Sequence, residues 1–596
     1  MNKSHFYTII LLWALISPLT ALFAISQYKP FFKALTVEAA KLNTKSSLNR
    51  INAHWKALYA AADTQSPEQM ASDFKNTAPE VLFGLSSSDY QIGGHIGQET
   101  SFDRWAKLHQ KELPGTALNF WNNYKLFIDD VASTGAKMFR LSLSWERIQP
   151  NGPNDWNSDA VERYVQIVKY VKDKGMEPLV VFHHYTVPTW FEDLNGKYLG
   201  GFTEEKNITH FVTFAEKMYA ALAPYATYYS TCNLGYEFKA YRENQLAPGI
   251  LYYAALYAKQ NTISFERLQS LFPYLYKNKT KDNIIEIIAD LYIRFGQKDS
   301  LILDEKNKAL QIKDILGGIK KLQKKHALQV THQVKANILK AHVEIHQKIH
   351  AFYNQNQIGK KPQVGIQTTV HPIYPKNPYN PVDVLVAAIG SWQLNHGFYQ
   401  FFTNDTYDLV MPGVYLKDKK DNAHKCLDWI GINVYDRSLV HFNLGKRKII
   451  VSKEHGRNTA TDKVEAPETI ATAVQEVYEK LVNPLAIKTG RTIPIFIAEN
   501  GIAPAHKNVS QDTQNEQRNR YFRHALCTIK ELRKKGYPIT VYTPWAAHDN
   551  FEWGKPFGSS RYGMFHIEGF GTDTVTSTLK DAENNFYVRF CKKLNV

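Results

Sequence analysis

The sequence predicts an α/β fold built on buried parallel strands, one of which ends in a carboxylate. The first observation is the stretch Ile493–Ile502, IPIFIAENGI, where isoleucines at alternating positions give β-branched strand character. Because this run contains so few polar residues, it suits a strand covered on both faces, as in a parallel sheet. The second is Glu499 at its carboxyl end, where a (β/α)8 barrel places its chemistry. The third is the length of 596 residues, which suits two or three average domains or one enlarged α/β barrel.

The same stretch carries a resemblance to a known family. The motif IAENG resembles the nucleophile motif of family 1 glycoside hydrolases, the retaining β-glucosidase family. Further segments that resemble this family follow in order from about residue 80 to the C-terminus. The resemblance implies a (β/α)8 TIM barrel over residues 79–596, with Glu499 as the nucleophile and with no metal or organic cofactor. A helical insertion at about residues 250–327 interrupts the match.

The first two strands of the implied barrel contribute an amide and a cation. The barrel begins at Val81–Gly84, and the family's sugar-binding glutamine corresponds to Gln91, although Gly93 replaces a usual Glu. The segment FRLSLSWERIQPNG closely resembles the family's second strand and following loop. Its Arg140 lies within an apolar strand, where an unpaired charge is costly. We therefore predict that Arg140 pairs with Glu499 and keeps this carboxylate ionised.

The third and fourth strands supply sugar-binding residues but lack one catalytic residue. Met176–Pro188 resembles the third strand, and the family's sugar-binding histidine corresponds to His184. In the fourth strand, Tyr225–Asn233, the family motif T-x-N-E-P is replaced by TCNLG. Asn233 is retained and is implied to bind the sugar 2-hydroxyl. Leu234 stands where the family has its general acid/base Glu, and it cannot transfer a proton.

A substitute for the missing acid/base is sought in the loop that follows. Glu237 is the first candidate, since it lies three residues after Leu234, and Glu243 and His183 are weaker ones. The alternative is that Glu237 is a solvated loop residue. A retaining mechanism uses two carboxyl groups roughly 5–5.5 Å apart, so the position of Glu237 bears directly on activity.

The insertion is rich in Ile, Leu and Lys with helical spacing. This pattern indicates helices that pack on the barrel, form a lid, or present a surface to a partner or a membrane. The rest of the match lies beyond the insertion. After a barrel helix at residues 330–353, the fifth and sixth strands are Lys361–Thr369 and Leu427–Asn433. In the motif N-x-Y that follows, the family's tyrosine donates a hydrogen bond to the nucleophile, a role implied for Tyr435. The seventh strand is the IAENG stretch, and the eighth is Tyr537–Trp545.

The segment after the eighth strand, WAAHDNFEW, strongly resembles the family's W-S-L-x-D-N-F-E-W. The resemblance implies that Trp545 forms the floor under the sugar, since aromatic faces pack on the apolar face of a pyranose. It also implies that Glu552 and Trp553 bind distal hydroxyls. Tyr562 replaces the usual Phe.

Charge and cysteine content exclude other classes of protein. The net charge is +16, mostly from scattered lysines, with a denser patch at residues 320–325. Since no nucleic-acid-binding motif accompanies this charge, we predict no nucleic-acid partner. The four cysteines are far apart and lack metal-ligand spacing, which indicates buried free thiols.

The N-terminus predicts export or membrane attachment. Lys3 precedes an uncharged, mostly apolar run, Phe6–Ile25, so residues 1–27 form a signal anchor or a signal peptide. A poor cleavage site favours the anchor, and residues 28–78 read as a spacer or packing arm. The protein is thus expected to be membrane-anchored or exported to the periplasm or medium.

Two functions fit the sequence. The first is a β-glycosidase-like enzyme that hydrolyses or transfers O-glycosyl groups of a β-linked sugar or glycolipid. The transferase variant rests on a weaker resemblance to the family's membrane-associated galactolipid galactosyltransferases, carried by the paired His183 and His184, the N-terminus and the insertion. The second is a carbohydrate-binding pseudoenzyme, favoured by Leu234.

Overall fold

Eight parallel strands close into a barrel in this computed structural model. The structure describes residues 45–94, 97–108, 110–194, 200–235, 331–411, 414–443, 448–455, 466–504, 509–553 and 555–595. The N-terminal apolar run, Glu237 and the insertion at about 250–327 lie outside these ranges. In chain order, the strands are β1 (Leu82–Ser86), β2 (Met138–Ser142), β3 (Glu177–His183), β4 (Tyr228–Leu234), β5 (Gln363–Thr369), β6 (Ile373–Pro375), β7 (Thr406–Met411), β8 (Val414–Lys419), β9 (Trp429–Asn433), β10 (Asp436–Asn443), β11 (Lys448–His455), β12 (Ile495–Glu499), β13 (Ile539–Tyr542), β14 (Phe565–Glu568) and β15 (Thr576–Leu579).

The barrel contains a strand at each of the eight predicted positions. Around the wall the order is β1, β2, β3, β4, β5, β9, β12 and β13, and β13 pairs with β1 to close it. The predicted (β/α)8 fold is therefore confirmed. Some strands are shorter than predicted: β3 ends at His183, and β13 ends at Tyr542. After β2, the Ser144 hydroxyl accepts a hydrogen bond from the Arg147 backbone N–H and caps a short helix.

Helices surround the barrel and bury its outer wall. The main helices are Lys45–Asp63, Pro67–Thr77, Ser101–Leu108, Phe120–Ser133, Ser158–Asp173, Ile208–Leu222, 331–355, Pro381–Asn404, Ala466–Val477, Asn483–Thr489, Gln511–Lys534 and Phe586–Leu594. Short helical turns at Asp89–Ile92, Trp145–Ile148 and Thr189–Glu192 follow β1, β2 and β3. The predicted barrel helix at residues 330–353 is helical from 331 to 355.

The inside of the barrel is filled by large side chains at its amino-terminal end. Trp429 of β9 stacks on Phe496 of β12, with ring centroids 4.3 Å apart and an interplanar angle of 8°. Gly365 of β5 lies directly against this indole, where a Cβ atom would overlap the ring. The barrel is thus a packed core, and the polar side chains of interest lie at its carboxyl end.

The first two described helices pack on the outside of the barrel. In Lys45–Asp63, Tyr59 stacks on His524 of helix Gln511–Lys534, with ring centroids 4.6 Å apart. Asp63 accepts a hydrogen bond from Nε2 of the same histidine at 2.7 Å. This part of the predicted spacer is therefore bound to the barrel. Within the described ranges, no helix has both the length and the apolarity that a membrane span requires.

Candidate active site

Glu499 lies at the carboxyl end of β12, where three donors from three other parts of the barrel converge on it. Arg140 Nη2 and Asn233 Nδ2 lie 2.8 and 2.9 Å from Glu499 Oε1. The Tyr435 hydroxyl donates to Glu499 Oε2 at 2.9 Å. The carboxylate is only 5% exposed, so these donors replace the water that it would otherwise bind. Both of its oxygens are thereby oriented.

Arg140 is fully buried in β2 and is held from two sides. Besides Glu499, it contacts Gln367 of β5, whose Oε1 accepts from Arg140 Nε at 2.9 Å and from Nη2 at 2.6 Å. A buried guanidinium is tolerated when a carboxylate and further acceptors compensate it. The arrangement supplies a fixed positive charge beside Glu499, as the sequence analysis expected.

Asn233 connects Glu499 to His184. Its Oδ1 accepts from Asn433 Nδ2 at 2.6 Å, which turns its Nδ2 towards Glu499 and towards His184 Nε2, 2.9 Å away. Burial, followed by the positive charge of Arg140, holds the pKa of His184 well below its usual value. The imidazole is therefore neutral and accepts the Asn233 hydrogen bond at Nε2, which leaves the ring proton on Nδ1.

Aromatic rings line the site beside His184. The His184 ring centroid lies 6.0 Å from Trp545 and 5.9 Å from Trp553. Trp553 in turn stacks on Tyr90 at 5.1 Å with an interplanar angle of 5°. The Trp545 indole N–H donates to Glu552 Oε1 at 3.1 Å. The predicted substrate-binding residues of the last segment thus lie next to those of β3 and β4.

Gln91 is also at the carboxyl end of the barrel, and its amide joins two loops. Its Nε2 donates to the Phe551 carbonyl at 2.6 Å, and its Oε1 accepts from the Ser88 hydroxyl at 3.0 Å. The side chain is completely buried. In this arrangement Gln91 holds the loop after β1 against the segment that carries Trp553.

The acid/base position is apolar. Leu234, the last residue of β4, is buried within the hydrophobic core. The backbone of the next residue, Gly235, runs close to two hydroxyl groups, since a Cβ atom there would lie 2.8 Å from both Tyr185 Oη and Thr369 Oγ1. The predicted substitute, Glu237, lies outside the described residues.

Two further buried carboxyl groups, which no sequence motif indicates, lie near this end of the barrel. Burial raises the pKa of Glu146, just after β2, to about 7, although the Ser144 hydroxyl donates to it at 3.1 Å. Burial likewise raises the pKa of Glu192, after β3, to about 8. Both carboxyl groups therefore take up a proton at a higher pH than an ordinary glutamate does.

Two residues that position the site were also not predicted, Gln367 and Asn433. Each is the polar residue near the end of an apolar strand, in GIQTT and WIGIN. Because the ends of parallel strands meet at one rim, that pattern was the available signal. Gln367 fixes Arg140, and Asn433 fixes Asn233.

Replacing Tyr435 with Phe is expected to slow cleavage of an activated aryl β-glycoside about 10- to 100-fold. The substitution removes one hydrogen bond to a charged group, which is worth roughly 1.5–3 kcal/mol. Burial and the Glu499 charge raise the pKa of Tyr435 well above its usual value, so the hydroxyl always donates and the loss is expected to be the same from pH 5 to 9. Steady-state rates across that range check this, and an undiminished rate would contradict the assigned role.

Comparison with known proteins gives one consistent family. The sequence matches the family model described as Glycosyl hydrolase family 1 over residues 74–270 and 276–595. Beta-glucosidase 42 of Arabidopsis thaliana is 21% identical over 84% of this chain and 91% of its own length. Two solved structures share the fold: a beta-glycosidase from Pyrococcus horikoshii (TM-score 0.57, 21% identity, 87% and 94% of the two chains) and a beta-glucosidase from Exiguobacterium marinum (TM-score 0.61, 17% identity, 87% and 98%).

Proposed function

Because the chain belongs to glycosyl hydrolase family 1, we propose that it cleaves β-glycosides by a retaining mechanism with Glu499 as the nucleophile. The observation that carries this proposal is the convergence of Arg140, Asn233 and Tyr435 on one buried carboxylate. Glycosidase function follows from the family, and the geometry around Glu499 supports its assignment as the nucleophile.

In the first step, a Glu499 carboxylate oxygen forms a bond to the anomeric carbon while the bond to the aglycone oxygen breaks. The aglycone leaves with the bonding electron pair and requires a proton unless it is a stable anion. When the sugar binds, its 2-hydroxyl replaces His184 as one of the two acceptors of Asn233 Nδ2, and His184 and Gln91 bind neighbouring hydroxyls. Trp545 stacks under the ring, and Glu552 and Trp553 bind the distal hydroxyls.

In the second step, water or another hydroxyl acceptor attacks the anomeric carbon, and the bond to Glu499 breaks. The attacking hydroxyl loses a proton, which a general base normally accepts. Since Leu234 cannot serve as acid or base, the reaction depends on an activated leaving group or on another proton carrier, for which Glu237 remains the proposed residue. Substrates with acidic aglycones are therefore expected to be preferred.

Restoring the family residue tests this assignment of Leu234. We expect Leu234→Glu to accelerate hydrolysis of an alkyl β-glycoside by about 10²-fold or more, the usual contribution of general acid catalysis. Leu234→Gln is the matched control, because it introduces a polar side chain of similar size at the same buried site but cannot donate a catalytic proton. An equal rate for the two variants, both folded by circular dichroism, would contradict the account.

A second candidate is a carbohydrate-binding protein without turnover, which Leu234 favours. It predicts measurable sugar binding but no aglycone release from any activated β-glycoside in the wild-type protein. Hydrolysis and transfer are distinguished by product analysis with water alone and with added sugar or glycolipid acceptors. Only the transferase forms a new glycoside at low acceptor concentration.

The protein is further proposed to be membrane-anchored or exported. The support is the uncharged apolar run Phe6–Ile25 after Lys3. Cell fractionation with N-terminal sequencing of the isolated protein tests this. An anchor leaves the run intact in the membrane fraction, a signal peptide is removed, and an intact chain in the cytosolic fraction would refute both.

A further inference from the structure

A second group of potential ligands lies at the opposite end of the barrel from Glu499. His346 and His350 project from the helix at residues 331–355, and Asp428 directly precedes β9. Since Asn433, at the other end of β9, contacts the Glu499 site through Asn233, the length of this five-residue strand separates the two groups by about 16 Å. This second group takes no part in the proposed reaction.

The three side chains bring one potential ligand atom each into a small cluster. Nε2 of His350 lies 2.7 Å from Asp428 Oδ2, and Nε2 of His346 lies 3.3 Å from the same oxygen. All the ligand atoms lie within 4.8 Å of one another. Ligands bound at 2.0–2.2 Å around a tetrahedral ion are about 3.3 Å apart, so small side-chain shifts would place an ion between them.

His346 is the second indication of a ligand. It is 7% exposed, and its Nε2 has no hydrogen-bond partner within the part of the chain that is described, although it faces Asp428. A buried polar atom without a partner is costly.

Neighbouring groups fix the position of the Asp428 carboxylate. Arg491 Nη1 donates to Oδ1 at 3.1 Å and the Val364 backbone N–H donates to Oδ2 at 2.9 Å. His342, one helical turn earlier, is not a candidate ligand, because both of its ring nitrogens already have hydrogen-bond partners. Its Nδ1 contacts the Thr231 hydroxyl, and its Nε2 contacts the Cys426 carbonyl. The positive charge of Arg491 weakens cation binding but leaves Oδ2 directed at the two histidines.

We propose that His346, His350 and Asp428 bind one divalent transition-metal ion, for which zinc fits best. Two imidazoles and one carboxylate are ligands that zinc accepts in tetrahedral sites, with water in the fourth position. The ion would join the helix at 331–355 to the start of β9. Because the amino-terminal face of such barrels serves stability and not chemistry, the expected effect is on unfolding, independent of the glycosidase reaction.

The test uses the full-length protein freed of metal with EDTA and then titrated with zinc chloride by calorimetry, with cobalt(II) absorption as a second readout. We expect one ion per chain, and a rise in Tm of about 3 °C at zinc concentrations about 1,000 times the Kd. The cobalt complex should give the intense visible bands of a tetrahedral site.

Variants assign the ion to this cluster. His350→Gln and Asp428→Asn are expected to weaken zinc binding at least tenfold, with loss of the Tm shift. His350 is partly exposed, so its variant should fold, which circular dichroism checks. His210→Gln is the matched control, because this partly buried histidine packs on Trp190, away from the cluster. No binding by the wild type, or binding that His350→Gln leaves unchanged, would overturn the proposal.

Discussion

Replacing Glu499 with Gln is expected to reduce release of an activated aryl aglycone by a factor on the order of 10⁴ or more, the scale seen when a nucleophile is removed. Gln has nearly the same shape and its carbonyl oxygen can still accept from Arg140 or Tyr435, so the fold is expected to persist. The amide cannot form the glycosyl-enzyme. Stopped-flow measurement of the burst and steady-state phases gives both effects.

The control for this variant is Glu568→Gln, which makes the same chemical change at an exposed position on β14. Its rates should equal those of the wild type. Added azide provides a second check, because it can attack the anomeric carbon in place of the missing carboxylate. If the Glu499→Gln variant kept its burst of aglycone without azide, another residue would be the nucleophile.

Replacing Arg140 with Met is expected to cost both stability and activity. The side chain is fully buried and pairs with Glu499, and removing one partner of a buried ion pair costs about 3–5 kcal/mol. The rate on an activated substrate should fall by about 10²-fold or more, because the nucleophile loses the charged donor that orients its Oε1. Denaturant unfolding and steady-state rates report the two effects separately.

A second variant distinguishes the lost charge beside Glu499 from a damaged fold. Without the guanidinium, Glu499 Oε1 loses its charged donor and keeps only the Asn233 amide, so the rate is expected to stay low even where the variant is folded. Gln367→Leu is the comparison, since it removes the other partner of Arg140 but keeps the charge beside Glu499. A rate for folded Arg140→Met that is no lower than that of Gln367→Leu would contradict the proposed role of the guanidinium.

A charged residue within an apolar strand and a carboxylate at a strand end were the sequence features that allowed the pair Arg140–Glu499 to be predicted. An arginine in the apolar strand FRLSLSW needs a carboxylate partner, and Glu499 at the end of another apolar strand was the candidate; the structure places the two 2.8 Å apart. Gln367 and Asn433 were harder to identify, because a neutral amide carries no comparable penalty and gives no indication of its partner.

Long-range clusters could not be assembled from local patterns. The H-x3-H spacing of His346 and His350 is visible in the sequence, but Asp428 lies 78 positions after His350, and only the closed barrel brings them together. The surroundings of the missing acid/base residue also depend on residues that are distant in the sequence. Leu234 is evident from its motif, whereas the environment that surrounds it depends on how Gly235, Tyr185 and Thr369 approach each other.

The proposed mechanism requires a covalent bond between Glu499 and the anomeric carbon of the sugar, and the most direct measurement is to trap this glycosyl-enzyme. Wild-type protein is incubated with a 2-deoxy-2-fluoro β-glycoside bearing a dinitrophenyl leaving group, then digested with trypsin and analysed by mass spectrometry. The peptide Thr492–Lys507, TIPIFIAENGIAPAHK, contains Glu499 as its only carboxylate side chain. We predict a glycosyl adduct on this peptide that Glu499→Gln lacks. An adduct on a different peptide, or no adduct with any such sugar despite measurable sugar binding, would contradict the account.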